Sequence, residues 1–250
     1  MKNKIILIIQ ARMSSSRMPG KVLKPFKGVT VLDYLIHRIS NINAIDEYWI
    51  ATSKNEADDI IEDSFKSKIK IFRGDEDDVL KRYYDLATFT KAHTILRITA
   101  DCPFADPSII NKAIELYKNK KVDYLTNVID RTYPDGLDVE IFSYGALKTS
   151  HEKCTDLSLR EHVTPYMKTG YYKGFRTGKF KVYNFRNEID FSHLRWTLDT
   201  EEDYTFLNKL SEKLDINFNW MEAISFLTKD ASLLSWNRDI NYRKGALNLK

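Results

Sequence analysis

The sequence predicts an α/β fold, a mostly parallel sheet flanked by helices on both faces. Three observations carry this. Short apolar runs alternate with stretches of helical periodicity through the first half of the chain. The first run, Ile5-Ile6-Leu7-Ile8-Ile9, is apolar at every position, as in a strand covered on both faces. The segment Asp106-Pro107 supplies a capping residue followed by a proline suited to a first helical turn.

The elements follow in order. Residues 4–9 form the first strand. Val31, Leu32, Leu35, Ile36, Ile39 and Ile42 have helical spacing. Residues 48–52 make a second strand, 57–65 a polar helix and 69–72 a short third strand. Asp77 or Asp78 caps a helix through Val79, Leu80, Tyr83, Leu86 and Ala87. Residues 94–99 make a fourth strand. The helix from Asp106 buries Ile109, Ile110, Ala113, Ile114 and Tyr117, and residues 123–127 make a fifth strand. The second half is less regular. Residues 137–142 alternate like a half-exposed strand, and 158–168 read as a helix interrupted by Pro165. Residues 179–186 read as an edge strand or hairpin arm. Thr200 caps a helix to Leu214, and 219–227 form the last helix. One domain over 1–228 is expected, with 130–190 as a substrate and dimerisation subregion and 229–250 as an unassigned tail.

The 250 residues are 43% hydrophobic and 30% charged, ordinary for a globular chain able to bury a sizeable core. No apolar run suits a membrane span or a signal-peptide core, so a cytoplasmic location is expected. Two cysteines make no disulfide framework, and none of the Cys and His residues has zinc spacing. A net charge of +4 gives no argument for nucleic acid. The charge is uneven, however. The first thirty-two residues hold seven Lys or Arg and no acid.

That charge surrounds the loop Gln10-Ala11-Arg12-Met13-Ser14-Ser15-Ser16-Arg17-Met18-Pro19-Gly20-Lys21. In open parallel sheets ligands gather at the carboxyl ends of strands, where this loop leaves the first one. Its cations, hydroxyls and backbone amides suit a polyphosphate. It lacks the glycines of a Walker A loop or a dinucleotide fingerprint. The alternative is a solvated surface loop. Asp101, after the strand Leu96–Thr99 and before Cys102-Pro103, suits a Mg²⁺ ligand or a turn. Asp199 again follows an apolar stretch and precedes a helix start. Glu201, Glu202 and Asp203 are better read as first-turn acids of that helix. Asp135, Asp138 and Glu140 suit either an acceptor's hydroxyls and amine or a turn with exposed acids. His162 is a polar contact to substrate or a structural histidine, and Cys102 a small buried residue without a base partner.

These segments resemble the cytidylyltransferases that activate sugar acids, among them the 3-deoxy-manno-octulosonate (KDO) and acylneuraminate enzymes. They most resemble the branch named for the spore coat polysaccharide biosynthesis protein SpsF. The resemblance runs through the loop, Arg73-Gly74 with Asp78-Val79-Leu80, Ala100-Asp101-Cys102-Pro103, Pro134–Glu140, Arg160–Tyr166 and Asp199–Asp203. It spans residues 4 to about 215 in one order. It implies a nucleotide-diphospho-sugar transferase (Rossmann-like) fold with a β-arm in the second half that often joins a homodimer. It also implies CTP phosphates on Arg12, Ser15, Arg17 and Lys21, and Mg²⁺ on Asp101 and Asp199. The nucleotide set extends to Gln10, Ala11, Arg73, Arg97 and Thr99, and the acceptor set comprises Asp135, Asp138, Glu140, Glu161 and His162. KDO-type enzymes carry Gln where this chain has Thr99, which leaves the reading of the base open.

The expected reaction is transfer of CMP from CTP to a nonulosonic or KDO-like acid, for surface polysaccharide or glycan synthesis, with release of pyrophosphate. Arg12, Arg17, Lys21 and Asp101 are its expected catalytic groups. A smaller phosphorylated or phosphonate acceptor is the alternative within this class. A glycosyltransferase using Asp75-Glu76-Asp77 as a DxD metal site is the rival enzyme, and a nucleotide-sensing scaffold the rival binding protein.

Overall fold

The computed structural model describes residues 3–168, 171–172, 175–176, 179–230 and 232–233. Its main sheet contains strands β1 (Ile5–Gln10), β2 (Glu47–Ser53), β3 (Lys70–Gly74), β4 (Thr94–Thr99), β5 (Tyr124–Thr126), β6 (Glu140–Ser143) and β7 (Val182–Asn184), in the spatial order β7-β5-β6-β4-β1-β2-β3. All neighbours are parallel except β6, which runs antiparallel to both β4 and β5.

β1 shows why the sheet carries a layer on each face. Side chains alternate across a strand. Accordingly Ile5, Leu7 and Ile9 enter one core, and Ile6 and Ile8 the other. The first core is closed by helices α1 (Val31–Ile39), α2 (Asp59–Phe65), α4 (Pro107–Lys120), α8 (Glu201–Glu212) and α9 (Trp220–Lys229). The second is closed by α3 (Val79–Phe89) and α5 (Tyr144–Lys153), with Met167 from the short α7 (Pro165–Lys168). Between α5 and α7 lies the single turn α6 (Leu157–Arg160).

The helix starts follow their caps. Asp78 accepts from Lys81 N, Asp106 from Ser108 N and Ile109 N, and Thr200 from Asp203 N. The acids after Thr200 meet the capping expectation. Asp203 closes a capping box, and Glu201 lies at the surface beside Lys24.

Two expectations are corrected in the second half. The strand expected over 137–142 is shorter, and it is buried at Glu140, Ile141 and Phe142. Its polar–apolar alternation arises because Glu140 has internal partners, not solvent. The helix expected over 158–168 breaks into α6 and α7, with Val163 at φ 67° between them. Residues 179–186 do hold an edge strand, β7, parallel to β5. Tyr171–Tyr172 pairs antiparallel with Phe175–Arg176, where the β-arm was expected. Trp236, Arg238, Arg243 and Lys244 of the expected tail lie outside the described residues.

From β1 the chain builds β2 and β3 on one side, while β4 occupies the other. The carboxyl ends of β1 and β4 therefore flank a topological switch, with Gln10 paired to Thr99 across it.

Candidate active site

The loop after β1 is shaped by its own backbone and by one buried acid. Ser15 N and Gly20 N both donate to Met13 O, at 2.9 and 3.0 Å, so the chain folds back on itself. Gly20 takes φ 71° at the turn, a left-handed conformation that glycine adopts without strain. Met18 is buried in the first core. Asp58, 1% exposed, accepts from Met13 N at 2.7 Å through one oxygen. Its other oxygen accepts from Thr52 Oγ1, Ser53 N and Ser53 Oγ. The loop is thus tied to the end of β2.

Lys21 lies at the bottom, 8% exposed. Its Nζ donates to Asp101 Oδ2 at 2.9 Å, Asp199 Oδ1 at 2.9 Å and Leu198 O at 2.8 Å. Those bonds use all three protons of an ammonium. Burial pushes the Lys21 pKa down, but the charges of Asp101 and Asp199 outweigh it and raise it overall. Burial likewise pushes Asp101 up, and Lys21 pulls it further down, to about 2. Asp101 is therefore ionised at neutral pH, and one ammonium is shared between the Asp101 and Asp199 carboxylates.

Asp199 reaches this point on a segment that also carries a guanidinium. Arg195 grips Asp203 through two bonds, at 2.9 and 3.0 Å, and donates to Asp199 Oδ2 at 2.9 Å. Arg17 reaches the same Asp199 oxygen at 3.0 Å. Residues 194–199 run beside 134–137, with Trp196 N donating to Asp135 O and Leu198 N to Asp101 O. Gly136 makes that approach possible. It has φ 109°, and a Cβ there would lie 2.4 Å from the Trp196 carbonyl carbon.

A cleft of about 240 Å³ lies over these groups. Gln10, Arg12, Ser15, Arg17, Lys21, Arg97, Thr99, Asp101, His162 and Asp199 line it, joined by Ser16, Val22 and Ala100. Ala11 and Arg73 do not. Ala11 is buried in the first core, and Arg73 turns to Ser53 O, Asn55 O and the acids Asp59 and Glu62. A second hollow of about 350 Å³ shares Arg12 and is lined by Asp75, Asp77, Asp78, Leu157, Ser158, Arg160 and Glu161. The adjacent residues Glu161 and His162 thus serve different hollows, with Glu161 3.4 Å from Arg12.

The three acids of the second half are held by cations. Asp138 pairs with Arg131. Asp135 lies between Arg131 and Arg195. Burial and the charge of Asp138 nevertheless raise its carboxyl to about 6. Glu140, 3% exposed, accepts from Tyr124, Thr164, Arg97 and Lys168. Burial pushes Glu140 up, but Lys168 and Arg97 bring it well below the ordinary carboxylate range. It is buried behind the cleft wall and does not line the cleft, where a substrate contact was expected. Its partner Arg97 is on the wall, and donates to Gln10 Oε1 at 3.0 and 3.2 Å.

Asp75 of the DxD-like triplet accepts from Asp77 N and Asp78 N, which makes it a turn residue before α3. Burial raises the Cys102 thiol well above its usual range, which fits an inert thiol. Sequence reasoning missed Asp58, Ser16 and Arg195. Asp58 carried no local signal, and its contacts join residues far apart in the chain.

Among the described residues no three His, Cys, Asp or Glu side chains converge as a metal cluster. Two carboxylates on one cation suit Mg²⁺, which takes one or two carboxylates and completes its shell with phosphate oxygens and water. Asp101 and Asp199 fit that demand.

The family model described as "Cytidylyltransferase" matches residues 6–224. The chain belongs to the cytidylyltransferase family. The spore coat polysaccharide biosynthesis protein SpsF of Bacillus subtilis is 33% identical over 219 residues, covering 84% of this chain and 88% of that one. A solved cytidylyltransferase from Leptospira borgpetersenii superposes with a TM-score of 0.86 at 33% identity, covering 93% of this chain and 97% of the other. A 3-deoxy-manno-octulosonate cytidylyltransferase from Solibacter usitatus is 32% identical over 114 residues, which is 46% of this chain and 45% of the relative. This cytidylyltransferase thus keeps its loop cations and two carboxylates at the sheet's switch point, and no helix among the described residues is long and apolar enough to cross a membrane.

Proposed function

We propose that this cytidylyltransferase moves CMP from CTP to the hydroxyl of a sugar acid and releases pyrophosphate. The observation that carries the reading is the convergence of Arg12, Arg17 and Lys21 with Asp101 and Asp199 in one cleft. The acceptor hydroxyl attacks the α-phosphorus, the bond to the bridging oxygen breaks, and the charge of the departing pyrophosphate falls on Arg12, Arg17 and Lys21. Ser15 and Ser16 offer hydroxyls to the same phosphates. Asp101 and Asp199 would hold Mg²⁺, which when bound polarises the α-phosphate. Gln10, Arg97 and His162 form the strand-end wall. Arg97 occupies the Gln10 carbonyl oxygen, so the Gln10 amide N–H groups remain as donors toward the acceptor's carboxylate. A sugar acid is favoured by the likeness to SpsF and to the 3-deoxy-manno-octulosonate enzyme.

We further propose a cytoplasmic homodimer serving surface polysaccharide synthesis, the last supported by the likeness to the spore coat polysaccharide biosynthesis protein SpsF. The test is pyrophosphate release from CTP, UTP, ATP and GTP across a panel of sugar acids that includes 3-deoxy-manno-octulosonate and N-acetylneuraminate. Release with CTP and at least one sugar acid, dependent on Mg²⁺, is expected. Release only with a sugar phosphate, or from another nucleotide, would overturn the reading.

A further inference from the structure

Lys21 stands where a metal shared by Asp101 and Asp199 would have to sit. Its three protons are committed to Asp101, Asp199 and Leu198 O, and it is nearly buried. Asp199 is further compensated by Arg17 and Arg195 on its other oxygen. A dication entering alone would meet three cations around Asp199 and would have to remove an ammonium that has lost its water. Removing one partner of a buried ion pair is costly unless the freed charge finds another partner. A triphosphate supplies that partner. Lysine is a point charge on a flexible stem, and phosphate oxygens are strong acceptors for it.

We infer that Lys21 is a gate on the metal seat. It fills the space between Asp101 and Asp199 in the free protein and yields only to a nucleotide triphosphate, whose phosphates draw its ammonium away. The chain thereby takes its metal with the nucleotide and not before it. Lys21 then has two successive partners, the carboxylate pair and the phosphates. This inference rests on the proposed assignment of the metal to Asp101 and Asp199.

Mn²⁺ reports the exchange directly, through its electron paramagnetic resonance signal and its effect on water relaxation. No turnover is needed. Without nucleotide, the full-length wild-type protein should bind Mn²⁺ only weakly, with Kd above about 1 mM. Lys21→Met should bind Mn²⁺ alone at least about tenfold more tightly. Adding Asp101→Asn to Lys21→Met should abolish that gain. With CTP present, the wild type should bind Mn²⁺ tightly and Asp101→Asn should not. If wild type without CTP matches Lys21→Met, and both lose Mn²⁺ with Asp101→Asn, the gate is wrong while the metal assignment stands. If Asp101→Asn and Asp199→Asn retain CTP-dependent Mn²⁺, the metal assignment itself is wrong and the gate falls with it. Should Lys21→Met fail to fold by circular dichroism, the wild-type arms decide: Mn²⁺ bound as tightly without CTP as with it overturns the gate.

Discussion

Asp101 and Asp199 share a cation but differ in how they are held, and substitutions should separate them. Asp199 has Lys21, Arg17 and Arg195, whereas Asp101 relies on Lys21. Asp101→Asn keeps the shape and removes one charge. It should lower kcat by at least about 10²-fold, the scale of a lost charge-stabilising group. Circular dichroism should match wild type, and near-normal activity at ordinary Mg²⁺ would remove Asp101 from the metal seat. Arg17→Ala should mainly raise KM for CTP, since the half-exposed Arg17 lines the cleft where the proposed phosphates would lie. A kcat loss with unchanged KM would place Arg17 on the transition state alone. The pH response belongs to Asp135. Its carboxyl titrates near 6, above its unfolded value of about 3.9, so its neutral form is favoured by folding. Its contribution to stability is full below the unfolded pKa and is lost as pH rises through about 6. Asp135→Asn should flatten the dependence of melting temperature on pH between about 4 and 6. An unaltered slope would show that Asp135 is not the group titrating there.

At the scale of elements, the site depends on two contacts between segments that look unrelated in sequence. The first is Gly136 against Trp196. A methyl at position 136 would lie 2.4 Å from a backbone carbon, and its φ of 109° disfavours any side chain. Gly136→Ala should cost several kcal/mol, about the range of severe point mutations, and should displace Asp199 with the 194–199 segment. The paired readouts are urea midpoint and kcat. A variant as stable and active as wild type would show that the close approach is not needed. The second contact is Glu140 to Arg97, which links α7 through Thr164 and Lys168 to the cleft wall at Gln10. Glu140→Gln leaves Arg97 less firmly aimed. It should raise KM for the proposed acceptor several-fold more than KM for CTP. Equal changes in both would point to general loosening.

These contacts also show what the sequence could and could not disclose. The strands of the first half were legible because β1 is apolar on both faces up to Ile9 and β2 and β4 carry short buried apolar runs, and their helices carry side-chain caps at Asp78 and Asp106. The loop and the acids at Asp101 and Asp199 were legible by residue type. Glu140 misled because a charged residue in an alternating strand reads as exposed, and its four partners come from three other parts of the chain. Asp58 was invisible because its role depends on Met13 of the loop, 45 residues away. The Lys21 bridge could not be read, because its three acceptors lie 80, 177 and 178 residues away.

At the scale of the whole molecule, the described residues of the two halves share one main sheet and one core. β6 lies between β4 and β5, so a strand of the second half completes the sheet begun by the first. The first core likewise joins Leu7 and Ile9 of β1 to Trp196, Phe206 and Trp220. Arg38 of α1 donates to Ile216 O and Phe218 O and lies over the Phe218 ring. A chain cut after Asp130 would leave β4 without its antiparallel neighbour, Arg38 of α1 without the Ile216 and Phe218 carbonyls, and Lys21 without Asp199. Neither half alone should fold cooperatively, and the intact chain should unfold in one transition. Two probes check this in urea: tryptophan fluorescence, weighted to Trp49 on one side and Trp196 and Trp220 on the other by single replacements, and far-UV circular dichroism. Coincident midpoints are expected. Separate midpoints, or a 1–130 fragment that melts cooperatively on its own, would show that the phosphate loop belongs to a unit able to stand without the segment that brings it Asp199.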